Sequence, residues 1–141
     1  MSQFIVKLMR SAADGEKLYA KIGRYLGSPV VRKACGGYPI NDGPDYVWLV
    51  ALEKRGLTAC GFLNFEITKQ GAVLHNGYVD LAYRGTGVFR EMLRQALANI
   101  DHDHLSASAT VSGVSAKALS RVGFTESGKR GAWIRMERKA K

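Results

Sequence analysis

Residues 78–93 read Tyr-Val-Asp-Leu-Ala-Tyr-Arg-Gly-Thr-Gly-Val-Phe-Arg-Glu-Met-Leu. In that order they predict a strand, an arginine–glycine turn and an amphipathic helix. The first turn of a helix leaves its N–H groups without partners, at the positive end of the helix dipole. Here those groups belong to Gly85, Thr86, Gly87 and Val88. A hydrogen bond from such a group to a phosphate contributes about 1.5–3 kcal/mol. Arg84 adds a full charge, and Gly87, lacking a Cβ, lets an anion approach the backbone. The chemistry this suits is capture of the pyrophosphate of a nucleotide-like cofactor. Two familiar phosphate motifs do not fit. A dinucleotide fingerprint needs a third glycine where Arg90 stands, and a P-loop needs Gly-Lys-Ser or Gly-Lys-Thr. Without further context, a lone Gly-x-Gly is also compatible with a purely structural turn.

Other reactive side chains group less tightly. Asp101-His102-Asp103-His104 invites a metal, but no other ligand cluster accompanies it, and a solvated loop is expected there. No metal site is predicted. Cys35 and Cys60 have neither metal spacing nor the numbers of a disulfide framework. They are expected to be reduced thiols in a cytoplasmic protein. Neither a signal peptide nor an apolar run of membrane-spanning length is read in the chain.

The elements that must carry the turn follow from periodicity. Residues 4–9 predict a first strand. Leu18, Ile22 and Tyr25 recur at helical spacing within a helix over 11–26, which Gly27-Ser28-Pro29 ends. Residues 34–45, rich in glycine and proline, predict a long loop that contains Tyr38. Strands over 45–53 and 57–68, joined at Lys54-Arg55-Gly56, predict an antiparallel hairpin. A strand over 72–80 then leads into the turn. The helix over 85–99 is expected to bury Val88, Phe89, Met92, Leu93, Ala96, Leu97 and Ile100. A strand over 105–110 and a helix over 115–121 come next. Trp133 to Glu137 alternates apolar and charged residues, as an exposed edge strand would. The order β-α-loop-β-β-β-α-β-α-β-β predicts one α/β domain over residues 1–141. Its single twisted mixed sheet is flanked by helices, with a right-handed parallel crossover around the central helix.

Val79-Asp80-Leu81-Ala82-Tyr83-Arg84-Gly85-Thr86-Gly87 resembles motif A of the GCN5-related N-acetyltransferase family. That motif is a Val-x-Pro-x-Tyr-Arg-Gly-x-Gly run with the core Arg/Gln-x-x-Gly-x-Gly/Ala. Arg84 and Gly87 match it. Leu81 replaces the usual proline, and Phe89 the usual last glycine or alanine. Residues 112–124, from Ser112 to Gly123-Phe124, are similar to the family's second motif. Ser112 occupies its asparagine place, and Leu119 the place of a tyrosine that protonates the leaving thiolate in many members. The resemblance spans roughly residues 46–137.

It implies a GCN5-related acyl-CoA N-acyltransferase fold and acetyl-CoA as the cofactor. The expected cofactor-binding residues are Tyr78, Val79, Arg84, Gly85, Thr86, Gly87, Val88, Ser112 and Ser115. The backbone of Tyr78 and Val79 would pair with the pantetheine amides, and an N–H near Val79 would be the oxyanion donor. Amine acetylation needs a proton acceptor, often acting through water. His75, on the strand entering the turn, is the first candidate, because an imidazole exchanges protons near neutral pH. Glu66 on the neighbouring strand is the second. In place of the missing tyrosine, Ser112, Ser115, water or Tyr38 would supply the acid.

The chain has 141 residues and a formal net charge of +9. Basic residues gather in the tail (Lys129, Arg130, Arg135, Arg138, Lys139, Lys141) and at Arg32-Lys33. They read either as a soluble surface with a frayed end or as a patch for a polyanion. The resemblance places the acceptor between residues 27–45 and 126–134. It implies acetyl transfer to a primary amine of a small molecule or protein. Two alternatives stay open: an acyltransferase acting on nucleic acid such as aminoacyl-tRNA or a modified base, with the basic groups on phosphates, and a non-catalytic module binding acyl-CoA or nucleic acid (tRNA or DNA). No membrane partner is expected, and a homodimer stays open. Trp48 and Trp133 are assigned to core or edge-strand packing rather than base stacking.

Overall fold

A computed structural model describes residues 3–141. Seven strands form one sheet in the order β1-β2-β3-β4-β5-β7-β6. They are β1 (Phe4–Arg10), β2 (Tyr46–Glu53), β3 (Ala59–Thr68), β4 (Gly71–Val79), β5 (Ala107–Val111), β6 (Thr125–Arg130) and β7 (Trp133–Arg138). Every neighbouring pair is antiparallel except β4 and β5. The crossover between those two strands is helix α3 (Val88–His102). Helices α1 (Ser11–Leu26) and α2 (Pro29–Ala34) follow β1, and α4 (Gly113–Ser120) follows β5.

The sheet separates two cores. On one face the predicted stripe Leu18, Ile22 and Tyr25 of α1 packs on Trp48 and Phe62. On the other, Val88, Met92, Leu93, Ala96, Leu97 and Ile100 of α3 pack on Leu49, Leu63 and Phe65. Of the α3 residues expected inside, Phe89 alone is half-exposed.

Three local expectations are corrected. Gly27-Ser28-Pro29 ends α1 but also starts α2, because the Ser28 hydroxyl accepts from the Val31 N–H at 3.3 Å and Pro29 occupies the first turn. Helix α3 begins at Val88, since Gly87 has φ 91°, outside the helical region. Finally, 133–137 is not an edge: β7 lies between β5 and β6, and β6 is the edge.

The basic tail is likewise ordered rather than frayed through Arg138. Its side chain is 6 % exposed, and the guanidinium donates to both Asp101 carboxylate oxygens, at 2.7 and 3.0 Å, and to the Val122 carbonyl. This fork fastens the end of α3 to β7. The Arg138 hydrogen bonds hold the Asp101 carboxyl below the usual carboxylate range. A depressed native pKa contributes stability that is complete above the unfolded value, about 3.9, and disappears as pH falls through the native one. Asp101→Asn is therefore expected to cost about 3 kcal/mol in urea unfolding at pH 7, by leaving Arg138 buried without its counter-charge. The gap to wild type should close only below about pH 4. A gap independent of pH would refute this account.

Candidate active site

The site begins with a misfit between neighbouring strands. Along β3 and β4, Leu63 opposes Gly77 while Phe65 opposes Leu74. Two residues of β4, His75 and Asn76, thus face the single residue Asn64, which makes a β-bulge. The bulge reverses the alternation of side chains. Ala72 and Leu74 point into the α3-side core, and beyond the bulge it is Val79 that packs there, while Tyr78 turns to the α1 side.

On its other edge β4 pairs with β5 only at Ala72–Ala107, Val73–Ser108 and Leu74–Ala109. Past that point the strands part, because Thr110 and Val111 pair with β7 alone. A cleft of about 660 Å³ occupies the wedge; Gly77, Tyr78, Val79, Arg84, Ser112 and Ser115 are among its walls. The Asp80 N–H donates to the Cys60 carbonyl at 2.9 Å, so the alternation of an antiparallel ladder turns the Tyr78 backbone toward β3. The groups facing the wedge belong to Gly77 and Val79. This corrects the expectation that Tyr78 offers its backbone, and adds Gly77, which sequence reasoning missed. The Val79 carbonyl accepts from Arg84 Nε at 3.0 Å, while its N–H faces the opening.

At the mouth of the wedge stands the arginine–glycine turn. The Thr86 N–H is used internally, donating to the Tyr83 carbonyl at 3.3 Å. The first backbone bond of α3 is Glu91 N–H to the Gly87 carbonyl, at 3.0 Å. Among the described residues, no protein acceptor takes the N–H of Gly85, Gly87, Val88, Phe89 or Arg90. The unpartnered amides therefore extend past Val88, and the Thr86 N–H is not among them. Gly85 and Gly87 have φ 79° and 91°, and a Cβ built on either meets nothing within 4 Å. Their backbones face open space in a conformation suited to glycine. The Arg84 guanidinium lies over the Tyr78 ring, 5.3 Å from its centroid.

The turn is braced from behind. Asp80 accepts from Arg24 Nη2 at 2.7 Å and from the Tyr25 hydroxyl at 2.9 Å, so α1 grips the end of β4. Burial first, and the Asp80 bond second, raise the Tyr25 hydroxyl far above its ordinary pKa and keep it protonated.

His75 and Glu66, the two candidate bases, are brought together. His75 Nε2 lies 3.0 Å from Glu66 Oε1, and the imidazole stacks on Tyr46 at 5.3 Å and 17°. Both side chains keep about a third of their surface exposed, 30 and 35 %. Tyr38 is not brought in: it is 71 % exposed and does not line the cleft. Its loop is nevertheless anchored, because Asp42 accepts from the Ser11 and Tyr19 hydroxyls and from the Trp48 indole N–H. Burial would raise the Asp42 carboxyl, but these donors outweigh it and hold it low. Trp48 is fully buried as expected. Trp133, at the start of β7, is 39 % exposed, lines the cleft, and packs so close to Gly36 that a Cβ there would come within 2.7 Å of its ring. Sequence reasoning also passed over Cys35, whose Sγ lies 3.7 Å from the Gly77 carbonyl on the cleft wall.

No protein-family model matches the sequence, and no curated protein matches it. Solved structures do resemble it. An acyl-CoA N-acyltransferase from Pseudomonas aeruginosa superposes with a TM-score of 0.76 at 17 % identity, covering 96 % of this chain and 99 % of that one. Escherichia coli ElaA gives 0.75 at 17 % identity, with the same coverage. The PaiA N-acetyltransferase of Thermoplasma acidophilum, solved in complex with coenzyme A, gives 0.64 at 16 % identity and covers 99 % of both chains. The chain has the GCN5-related N-acetyltransferase fold.

Within that fold two departures are now located. Phe89, at the place of a small motif residue, is half-buried on the cleft wall rather than turned into the core. Leu119, at the tyrosine place, is 4 % exposed and belongs to the core, so it brings no proton donor. Ser112, the N-cap of α4, makes no side-chain cap bond, and both Ser112 and Ser115 line the cleft. Among the described residues, no helix is long and apolar enough to cross a membrane.

Proposed function

We propose that the chain is an N-acetyltransferase that moves the acetyl group of acetyl-CoA to a primary amine of a small molecule or protein. The observation that carries the reading is the meeting of two features: a wedge between β4 and β5, and a row of unpaired amides at its mouth. The likeness to a protein solved with coenzyme A supports it.

The residues fit the group. Arg84 and the amides of Gly85, Gly87 and Val88 would hold the diphosphate, continued by Phe89 and Arg90. Gly77 and Val79 would bond the pantetheine arm, with the Val79 N–H polarising the acyl carbonyl. Bound acetyl-CoA supplies the activated acyl group. His75, held by Glu66, accepts the amine proton. His75 lies four positions before Val79 along a bulged strand, a span of up to about 13 Å, so the proton passes through water rather than directly. Ser112 and Ser115 are the hydroxyls proposed to return a proton to the leaving sulfur. A cytoplasmic setting suits the two free thiols, Cys35 and Cys60.

The tail favours nucleic acid less than its charge suggests, because Arg138 is spent on Asp101 and Arg135 pairs with Glu137. Arg32 and Lys33 on α2 remain exposed. The test is acetyl-CoA binding by calorimetry, followed by CoA release across amino acids, polyamines, peptide N-termini and tRNA. Binding with release on a non-nucleic amine is expected. Binding without release on any acceptor would mark a non-catalytic module, and release on tRNA alone would move the acceptor to nucleic acid.

A further inference from the structure

Asn64 is the polar residue at the centre of β3, between Leu63 and Phe65, and is fully buried. Neither end of its amide is idle. Its Oδ1 accepts from the Asn76 N–H at 2.9 Å, inside the β4 bulge, and its Nδ2 donates to the Asn41 carbonyl at 3.3 Å. An amide buried this deeply is costly unless both ends are bonded. Here its Oδ1 meets the Asn76 N–H inside the bulge. We infer that Asn64 is a positioning residue: it locks the β4 bulge, and through the bulge it aims His75 and the backbone of Gly77 and Val79 into the cleft.

The argument is one of register. Were β4 to pair with β3 without the extra residue, every side chain on one side of residue 76 would change face. His75 would then leave Glu66 and Tyr46, or Gly77 and Val79 would turn away from the wedge. An apolar residue at 64 gives the Asn76 N–H no partner and removes the preference for the bulged register. The second bond reaches Asn41, beside Asp42 in the anchored loop, so one side chain ties the acceptor loop to the bulge.

The inference rests on the transferase reading, so wild-type transfer is measured first, and its absence on every acceptor would overturn that reading alone. Three readouts then compare wild type with Asn64→Leu and Asn64→Asp: amide exchange at Asn76 by NMR, CoA affinity, and kcat. Asn64→Leu is expected to speed Asn76 exchange at least about tenfold, as local opening becomes easier. It should lower kcat about a hundredfold through misplaced groups, with a smaller loss of CoA affinity, about tenfold or less, because the Gly77 and Val79 contacts to the pantetheine arm shift while the diphosphate contacts of the Arg84–Val88 turn stay. Asn64→Asp keeps an acceptor for Asn76 but loses the donor to Asn41, so it should retain the Asn76 protection and clearly more of kcat than Asn64→Leu. If Asn64→Leu does not fold, Asn64→Ser, too short to reach both partners, takes its place. Full kcat in the Leu or Ser variant would overturn the inference. So would a hundredfold loss in Asn64→Asp with Asn76 still protected.

Discussion

Gly87→Asp is expected to weaken acetyl-CoA binding by at least about a hundredfold, because 1.4 kcal/mol is tenfold and two charged hydrogen bonds of about 1.5 kcal/mol or more are at stake. Gly87 is the N-cap of α3, with φ 91° and empty space where a Cβ would stand. The protein therefore has room for the new side chain, but a diphosphate over the same amides does not. The carboxylate also sets a negative charge beside the N–H groups that follow it and repels the phosphates directly. Gly87→Ala separates the two effects: it adds left-handed strain of about 1–2 kcal/mol to folding without adding charge. Calorimetry of both variants, with thermal melts to confirm folding, checks the result. Unchanged affinity in a folded Gly87→Asp protein would remove the diphosphate from this turn.

The features legible in the sequence are those set by neighbours along the chain. Leu18, Ile22 and Tyr25 announced α1 because one helical face suffices to bury them. The Arg-Gly-Thr-Gly turn was legible because positive φ needs glycine. What escaped depends on partners far away in sequence. Alternation in 133–137 reports two faces but not whether a strand lies along each edge, and β5 and β6 supply both. The wedge exists because β5 has five residues against nine in β4, and neither length says where pairing stops. Ser28-Pro29 is at once a stop for one helix and a start for another, and the second reading is completed by the packing of Val31 in the α1-side core. The bulge had one available signal, a lone asparagine in an otherwise apolar stretch between Cys60 and Phe65. A polar side chain there must find two partners, and the search for them leads to Asn41 and Asn76.

The two halves of the site are held by different parts of the fold, and this makes them separable by mutation. The turn is braced by α1 through Arg24, Tyr25 and Asp80, whereas His75, the proposed proton acceptor, is set by β2 through Tyr46 and by β3 through Asn64 and Glu66. His75→Ala should accordingly lower kcat by about 10²–10³-fold, within the usual range for a general base, while leaving acetyl-CoA affinity unchanged. The imidazole keeps 30 % of its surface exposed, so its removal opens no closed cavity and folding should change little. Glu66→Gln keeps a hydrogen-bonding neighbour but removes its charge, and should cost less, about tenfold in kcat. Because Glu66 acts by holding the ring, the two losses are not additive: the double variant should be no slower than His75→Ala alone. Added imidazole should restore part of the His75→Ala rate, since that side chain borders solvent. Additive losses would separate Glu66 from His75 as an independent contributor, and a full rate in His75→Ala would move the proton to another acceptor altogether.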